Sequence, residues 1–416
     1  MRETFALVRK TPGCLLLLFG NFAITFGSNL VLPYLAVYLT VEQGISPWAV
    51  GAAFTAKLWA QQGLMVFGGS LADRIGTVPT MCLGLLMRAL SYLLVVTAVS
   101  DAGAVLACGL LGLGSALYIP AGKAALSRLI EGQAATTAIF ALRSTANNAG
   151  TALGPLAGGL LLLLSTPSIG FLAASALFLA LLVPFWQLRH RIPHTPARPA
   201  EGTAGTPAPA KPGMLQILRT CPRMIWIIAT AVVFGFCYVQ VEYAMPITAA
   251  AEQGQAFVGV LYTVNAVAVV VLQLVLSARL GRLTNAAAVI AAGLGTMALG
   301  FGLFGQGSIT FLLLGVVLFT IGEVVIDPRL DSEVAHAVPA EQRATAFGMV
   351  GLGMALGGTL ANTAASSAIG PAQLGGRYWL LLLAAAAVLA LVTWAAAPRR
   401  RATTAAAAER KAVAGG

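Results

Sequence analysis

Three carboxylic acids interrupt apolar stretches in the second half of this 416-residue chain. Glu242 lies in one stretch, and Glu323 and Asp327 lie four residues apart in another, so the latter two share a helical face. Burial favours the protonated form of a carboxylic acid, which can take up a proton on one side of a membrane and release it on the other. We therefore predict proton coupling at Glu323, Asp327 and Glu242. The alternative is that Glu323 and Asp327 pair with Arg143 or Arg329 and lock the two halves together.

The first half of the chain carries buried charge of the opposite sign. Lys57, Arg88 and Arg143 lie inside apolar stretches, with no carboxylate among them. A cation near the centre of a bilayer is costly and usually faces a cavity or a partner. Phe54, Lys57 and Gln61 share one helical face, which we predict to line a substrate cavity, with packing inside the bundle as the alternative for Lys57. The predicted cavity residues are Lys57, Gln61, Arg88, Arg143, Asn147, Asn21, Phe54, Tyr238 and Phe26.

The elements that must position these residues are membrane-spanning helices. Hydrophobic residues make up 58% of the chain and charged residues 9%, a composition outside the range of soluble domains. Apolar runs of about 20 residues, the length that crosses ~30 Å of hydrocarbon, recur along the sequence. We predict an all-α membrane protein with twelve spans, near residues 14–39, 47–71, 78–98, 102–126, 136–163, 168–187, 222–248, 255–276, 286–304, 309–335, 343–369 and 376–397.

The placement of basic residues predicts the orientation of these spans. With both termini in the cytoplasm, Arg377 is the one basic residue on the outer side, and Lys57, Arg88 and Arg143 lie within spans. The remaining Lys and Arg residues follow the positive-inside rule. The net charge of +11 therefore reflects topology, and no nucleic-acid partner is expected. We predict a multi-pass protein of the bacterial inner membrane.

A proline-rich segment divides the chain near its midpoint. Residues 189–221 cannot bury a core and are predicted to be a flexible cytoplasmic linker. They separate an N-terminal six-helix bundle, 1–188, from a C-terminal six-helix bundle, 222–397, and residues 398–416 form a basic cytoplasmic tail. Pro328 follows Pro120 by 208 residues, and a segment resembling the loop after the second span recurs about 205 residues later. These offsets indicate a duplicated six-helix unit.

The loop after the second span carries a recognisable motif, Gly69-Ser-Leu-Ala-Asp73-Arg74-Ile-Gly76. Gly69 permits close approach of two backbones, Asp73 can accept hydrogen bonds at a helix N-terminus, and Gly76 permits a tight reversal. Arg74 supplies a cytoplasmic anchor. The motif resembles the signature of the major facilitator superfamily, although the one or two further basic residues that usually end it are replaced here by Thr77 and Val78. The resemblance implies that Gly69, Asp73, Arg74 and Gly76 stabilise an outward-facing state.

The fifth span carries a second motif. Gly150, Gly154 and Gly158 recur every four residues on one face, and Pro155 and Gly159 follow two of them. The pattern resembles the fifth-helix motif of the drug/proton antiporter branch of that superfamily. The alternative is a helix whose small residues serve packing alone.

The tenth span completes the resemblance. The stretch from Ile321 to Pro328 resembles the tenth helix of multidrug members, in which a glutamate at the position of Glu323 is a candidate proton site. The resemblances together imply a 12-helix major facilitator fold. They predict a proton-coupled secondary active transporter that exports amphipathic small molecules by alternating access at a midplane cavity.

Other functions are less consistent with the sequence. There is no phosphate-binding loop, no nucleophile–base constellation and no cysteine spacing typical of metal sites, so neither an enzyme nor a bound metal or cofactor is expected. The basic residues of the first half leave open an exporter or importer of one anionic metabolite or siderophore. A non-transporting sensor on the same fold also remains open. The expected partners are a small-molecule substrate, protons and lipid, and the protein is predicted to be a monomer.

Overall fold

A computed structural model describes residues 12–97, 100–129, 133–190, 192, 214–280, 285–339, 342–369 and 374–397. Within these ranges all regular secondary structure is helical, which confirms the all-α part of the predicted fold class. The predicted tail and most of the predicted linker lie outside the described residues. Below, the first half means residues 12–190 and the second half means residues 214–397.

Short connections join consecutive helices within each half. In chain order they are α1 (Pro12–Val37), with a π-helical turn at Tyr38–Glu42, α2 (Pro47–Gly63), α3 (Met65–Ile75), α4 (Thr77–Thr97), α5 (Asp101–Arg128), α6 (Gln133–Leu164), α7 (Pro167–Gln187), with a 3-10 turn at Leu188–His190, α8 (Met214–Thr220), α9 (Arg223–Val239), α10 (Ala244–Gln253), α11 (Gln255–Leu280), α12 (Ala286–Phe304), α13 (Ile309–Ala337), α14 (Arg343–Ala368) and α15 (Gly376–Ala395).

Nine helical stretches among the described residues are long and apolar enough to cross a membrane. They are α1 with its π-helical turn, α4, α5, α7 with its 3-10 turn, α9 with α10, most of α11, α12, α13 and α15. The other predicted spans correspond to α2 with α3, to α6 and to α14. The total of twelve crossings therefore stays a prediction.

Local sequence explains where several helices begin. The hydroxyl groups of Ser46, Ser100 and Ser308 and the amide oxygen of Asn285 each accept a hydrogen bond from a backbone N–H in the first turn of α2, α5, α13 and α12. Such N-caps satisfy donors that have no partner within the helix. Gly76 separates α3 from α4 with φ of 102°, a left-handed conformation that favours glycine. The predicted tight reversal therefore occurs at Gly76.

Two predicted spans are broken rather than continuous. The second span is interrupted at Leu64, between α2 and α3, and the seventh is interrupted at 240–243, between α9 and α10. Pro246 has no backbone N–H, so the carbonyl group of Glu242 loses its helical partner. Instead, the Met245 N–H donates to the Gln240 carbonyl at 2.9 Å. Glu242 therefore lies in a turn, which corrects the prediction of one helix over 222–248.

The two halves repeat one packing scheme. A Cβ on Gly84 of α4 would lie 2.6 Å from the Gly114 carbonyl oxygen of α5, and one on Gly322 of α13 would fall inside contact distance of the Gly293 carbonyl oxygen of α12. The offsets between corresponding glycines are 209 and 208 residues. Close backbone approach at matched positions supports the duplication predicted from the sequence.

The two ends of the bundle differ in how the halves meet. We call them the Gly44 end and the Asp73 end, after residues in the connections at each end. Near the Gly44 end, Tyr243 donates to the Pro47 carbonyl at 2.9 Å, and Asn362 donates to the Thr55 hydroxyl at 3.2 Å. The described hydrogen bonds between the halves lie at this end or at mid-depth, so the bundle is closed there.

Candidate functional site: a charged crevice between the halves

Two cavities lie inside the bundle and meet at mid-depth. The central cavity, about 270 Å³, lies between the halves and includes Tyr238, Asn265 and Glu323 in its lining. A second cavity of about 440 Å³, the first-half chamber, is lined almost entirely by α1, α2, α4, α5 and α6. Both cavities share Lys57 and Glu242. The predicted cavity therefore consists of two connected spaces with one charged pair at their junction.

Lys57 and Glu242 form an ion pair that joins the two halves. The Lys57 Nζ atom lies 2.7 Å from Glu242 Oε2, and the side chains are 10% and 35% exposed. The Nζ atom also lies 5.3 Å from the centroid of the Phe54 ring, which stacks on Tyr243 at 5.4 Å. The helix break at 240–243 brings the carboxylate to Lys57. Sequence reasoning placed both residues in the crevice but did not predict that they pair.

Glu323 has different surroundings. The Asn265 amide donates to Glu323 Oε2 at 3.2 Å and to the Thr320 hydroxyl at 2.8 Å. The ion pairs that the structure describes join Lys57 to Glu242, Arg128 to Asp73 and Arg223 to Glu333. Glu323 and Asp327 take part in none of these pairs, so the alternative that they lock the halves together through Arg143 is not observed in the described residues.

Asp327 and Tyr238 lie on either side of Glu323. Asp327 is exposed, one turn of α13 closer to the Asp73 end. The Tyr238 ring packs against Phe319 at 6.5 Å and Phe234 at 5.8 Å, and Tyr238 lines the central cavity as predicted. The wall around Glu323 is thus aromatic, with an acidic extension towards one end.

Arg88 is held within the first half. Its guanidinium group donates to the Ser28 hydroxyl and lies 5.2 Å from the Phe178 ring centroid. The residue is 7% exposed and forms part of the chamber wall. Its cation–π contact and its buried hydrogen bond indicate that Arg88 contributes mainly to packing.

The interface between α1 and α6 forms one side of the first-half chamber. The Asn147 side-chain oxygen accepts from the Asn21 amide at 2.5 Å and from the Thr25 hydroxyl at 2.7 Å. Arg143, Asn147 and Asn21 line the chamber, and so does Gln61 of α2. Phe26 is not in the lining of these two cavities; it stacks on Phe22 at 5.9 Å, and its place in a substrate cavity stays a prediction.

The glycine face of α6 packs directly on α1. A Cβ on Gly150 would lie 2.8 Å from the Phe26 amide nitrogen, and Gly154 and Gly158 have similar contacts one and two turns further on. A Cβ on Gly159 would lie 3.1 Å both from the Ala256 carbonyl oxygen of α11 and from the Tyr34 hydroxyl of α1. Pro155 contributes its carbonyl oxygen, which accepts from the Tyr34 hydroxyl at 2.6 Å. The five motif residues therefore join α6 both to α1 and to the second half.

The motif between α3 and α4 partly differs from its prediction. Gly68, not Gly69, makes the close backbone contact, because a Cβ on Gly68 would fall inside contact distance of the Ala116 carbonyl oxygen, whereas a Cβ on Gly69 would meet open space. Asp73 lies 4.0 Å from the Arg128 side chain, and none of the hydrogen bonds between described residues joins its carboxylate to a helix N-terminus. Arg74 is exposed at the same end.

Two residues of the crevice, Asn265 and Tyr262, and a contact that exposed Trp59 makes outside the two cavities were missed by sequence reasoning. Asn265 of α11 positions Glu323, Tyr262 donates to the Val241 carbonyl at 2.6 Å in the helix break, and Trp59 donates to Thr359 at 2.8 Å across the halves. Asn265 had a usable signal, since polar residues within apolar spans mark functional sites by default. The roles of Tyr262 and Trp59 depend on neighbours that are distant in sequence.

Comparison with known proteins identifies the class of this chain, which is that of polytopic membrane transporters. The sequence model of the Major Facilitator Superfamily matches residues 17–257 and 242–414. The chain belongs to the major facilitator superfamily. This confirms the family predicted from the motifs and the expectation of a transporter rather than an enzyme.

The individual proteins that this chain resembles are less than 30% identical to it in sequence. The multidrug resistance protein MdtH of Yersinia pestis is 29% identical over 358 residues, which are 85% of this chain and 86% of that protein. Among solved structures, the POT family transporter PepTSo has a TM-score of 0.77 at 16% identity. The alignment covers 92% of this chain and 98% of the PepTSo chain. The nucleoside transporter NupG has a TM-score of 0.76 at 15% identity. The alignment covers 92% of this chain and 99% of the NupG chain. At these identities the structural neighbours show the fold alone.

Proposed function

We propose that this protein is a proton-coupled exporter of amphipathic small molecules that works by alternating access. The observation that carries the proposal is Glu323, a carboxylic acid in the central cavity whose hydrogen-bond partner is a neutral amide. A buried carboxylate without a neighbouring cation is costly in its charged form, so its affinity for a proton depends on its surroundings. Glu323 can thus exchange a proton when the cavity opens to one side and then to the other.

The orientation is part of the proposal. We assign the Asp73 end and both termini to the cytoplasm of a bacterial inner membrane, in agreement with the positive-inside rule. Residues 1–188 and 222–397 then act as two six-helix bundles that rock about the cavity, and 189–221 and 398–416 act as linker and tail. The conformation closed at the Gly44 end is then inward-facing.

The Lys57–Glu242 pair supplies a conformational element. It lies at mid-depth and holds α2 of the first half to the turn in the second, so we infer that it separates when the Gly44 end opens. Protonation of Glu242, or a substrate that competes for Lys57, would weaken the pair. Motif residues Gly69, Asp73, Arg74 and Gly76 would then stabilise the opposite, outward-facing conformation at the Asp73 end.

The cavity lining supports amphipathic substrates. Phe54, Tyr238, Tyr262 and Phe319 provide apolar and aromatic surface next to polar groups, as in sites that accept amphipathic ligands. The similarity to MdtH, named a multidrug resistance protein, supports the same class for this chain. An exporter of one anionic compound is a second candidate, which the basic lining of the first-half chamber favours.

The proposal is tested with purified protein in liposomes that contain a pH-sensitive dye. Ethidium, tetraphenylphosphonium and 1-naphthylacetate serve as cationic and anionic amphipathic probes. We expect a pH gradient to drive uphill movement of at least one probe, and addition of that probe to move protons in the opposite direction. Protein-free liposomes provide the baseline. Transport that persists unchanged after the gradient is collapsed with nigericin would contradict proton coupling.

A further inference from the structure

Four cationic side chains line the first-half chamber, and they fall into two pairs. Lys57 is bound to Glu242, and Arg88 is held by Ser28 and the Phe178 ring. Lys123 of α5 and Arg143 of α6 have no carboxylate within ion-pair distance among the described residues.

The neighbouring amide is also oriented as a donor. The Asn147 side-chain oxygen already accepts from both Asn21 and Thr25, which fixes the direction of the amide group. Its NH₂ group is left to donate, and Asn147 lines the same chamber as Arg143 and Lys123. Among the described residues of the lining, Glu242 is the one carboxylic acid, and Lys57 already binds it. The wall formed by Lys123, Arg143 and Asn147 thus offers donors and positive charge.

We propose that Lys123, Arg143 and Asn147 form a subsite for the anionic group of the transported molecule, a carboxylate, sulfonate or phosphate. Such groups are acceptor-only and match a wall made of donors, and arginine binds them bidentately. This inference rests on the proposed transport function and adds a substrate class to it, amphipathic organic anions.

The geometry gives the rest of the ligand a place. The chamber continues past Lys57 into the central cavity, where Tyr238 and Phe319 supply aromatic surface for an apolar body. Lys123 is exposed, five positions before the last residue of α5, so the anionic group meets the subsite from the Asp73 end. With that end in the cytoplasm, a membrane potential that is negative inside drives anions outward, in the direction of export.

The test compares three ligands that share one ring system. Equilibrium binding of tritiated 1-naphthylacetate to the full-length protein is measured in phosphatidylcholine nanodiscs, with competition by neutral 1-naphthylacetamide and cationic 1-naphthylmethylamine. We expect the acetate to bind at least tenfold more tightly than the acetamide. Lys123→Gln and Arg143→Gln should each reduce that preference to about threefold or less. Arg219→Gln, which removes an exposed cation of α8, should leave it intact.

The outcomes separate the possibilities. Equal binding of acetate and acetamide by the wild-type protein, or a preference that survives in the Lys123→Gln/Arg143→Gln double variant, would overturn the subsite. Loss of acetamide binding in the same variants would also overturn it, since that result indicates damaged packing. If phosphatidylglycerol in the nanodiscs abolishes acetate binding, the basic wall binds lipid headgroups and the proposal fails. Binding needs no pH gradient, so a failure of proton coupling is detected separately in the liposome assay.

Discussion

The two halves of this transporter pack alike and carry opposite buried charge. Gly150 of α6 lies against α1 in the first half as Gly357 of α14 lies against α9 in the second, with Cβ positions 2.8 and 2.7 Å from the Phe26 and Phe236 amide nitrogens. Yet the first half lines the crevice with cations, and the second half contributes Glu242 and Glu323. The shared scaffold therefore determines the contacts between helices, whereas a few side chains that differ between the halves determine the chemistry of the crevice.

The carboxylates of the second half also differ from each other. Glu242 is neutralised by Lys57 of the first half, whereas Glu323 is held by Asn265 of its own half. We infer that the ion pair of Glu242 depends on contact between the halves and that Glu323 carries the transported proton.

Replacement of Glu323 gives the largest expected effect. Glu323→Gln keeps the shape of the protonated acid but cannot release a proton, so pH-gradient-driven uptake into liposomes should fall to the protein-free baseline. Exchange of labelled for unlabelled probe at equal pH should persist, because that process needs no net proton movement. Glu252→Gln, the same change on an exposed acid of α10, is the matched control and should retain uptake.

Asp327→Asn refines this test. Asp327 is exposed and lies closer to the Asp73 end, so we expect it to reduce uptake by less than Glu323→Gln. If Asp327→Asn abolishes coupling and Glu323→Gln does not, the proton site belongs to Asp327.

Matched valine substitutions test whether the halves are equivalent in packing. Gly150→Val and Gly357→Val each place side-chain atoms against backbone that cannot easily move, and overpacking of this kind costs about 1–3 kcal/mol or more. Size-exclusion profiles and thermal unfolding in detergent should show similar losses for both variants. Gly295→Val, where a Cβ meets open space in α12, is the control and should remain folded. A loss of stability in only one of these two variants would show that the two halves do not pack equivalently at the matched glycines.

A double-mutant cycle measures the contact between the halves. Lys57→Met, Glu242→Gln and the double variant should show a coupling free energy of about 0.5–3 kcal/mol in thermal or chemical unfolding, since the pair is partly buried. Each single variant should also increase labelling of a cysteine at Thr55 from the Gly44 end. The Arg223–Glu333 pair lies within one half, so its cycle should leave that labelling unchanged. A coupling energy near zero would mean that Lys57 and Glu242 act independently.

The smallest expected effect concerns the support of Glu323. Asn265→Leu removes the hydrogen bonds to Glu323 and to Thr320, and loss of the bond to Glu323, worth about 1 kcal/mol, should reduce the initial rate of gradient-driven uptake about fivefold. Thr320→Val removes the hydrogen bonds of Thr320 to Asn265 and to the Val316 carbonyl but leaves the bond between Asn265 and Glu323, so it should reduce the rate less. Equal rates in the wild-type protein and Asn265→Leu would show that the amide has no part in the cycle.

Much of this architecture follows from the sequence because membrane burial leaves strong signals. Apolar runs of spanning length predicted the helices, and the motifs at Gly69–Gly76 and at 150–159 identified the family. Charges inside spans singled out Lys57, Glu242 and Glu323, since such residues are costly unless they have a function or a partner. Glycines repeated every four residues predicted a packing face, although Gly68 rather than Gly69 makes the close contact in the third helix.

The partners of these charges were decided by the tertiary structure. Lys57 and Glu242 are 185 positions apart, and the break that Pro246 places in the seventh span brings them together. Asn265 meets Glu323 only because α11 packs on α13, and Asn147 is oriented by Asn21 and Thr25 of α1. Periodicity along one helix specifies which residues share a face, but the neighbour across that face depends on how separate helices pack, and that information is not local in sequence.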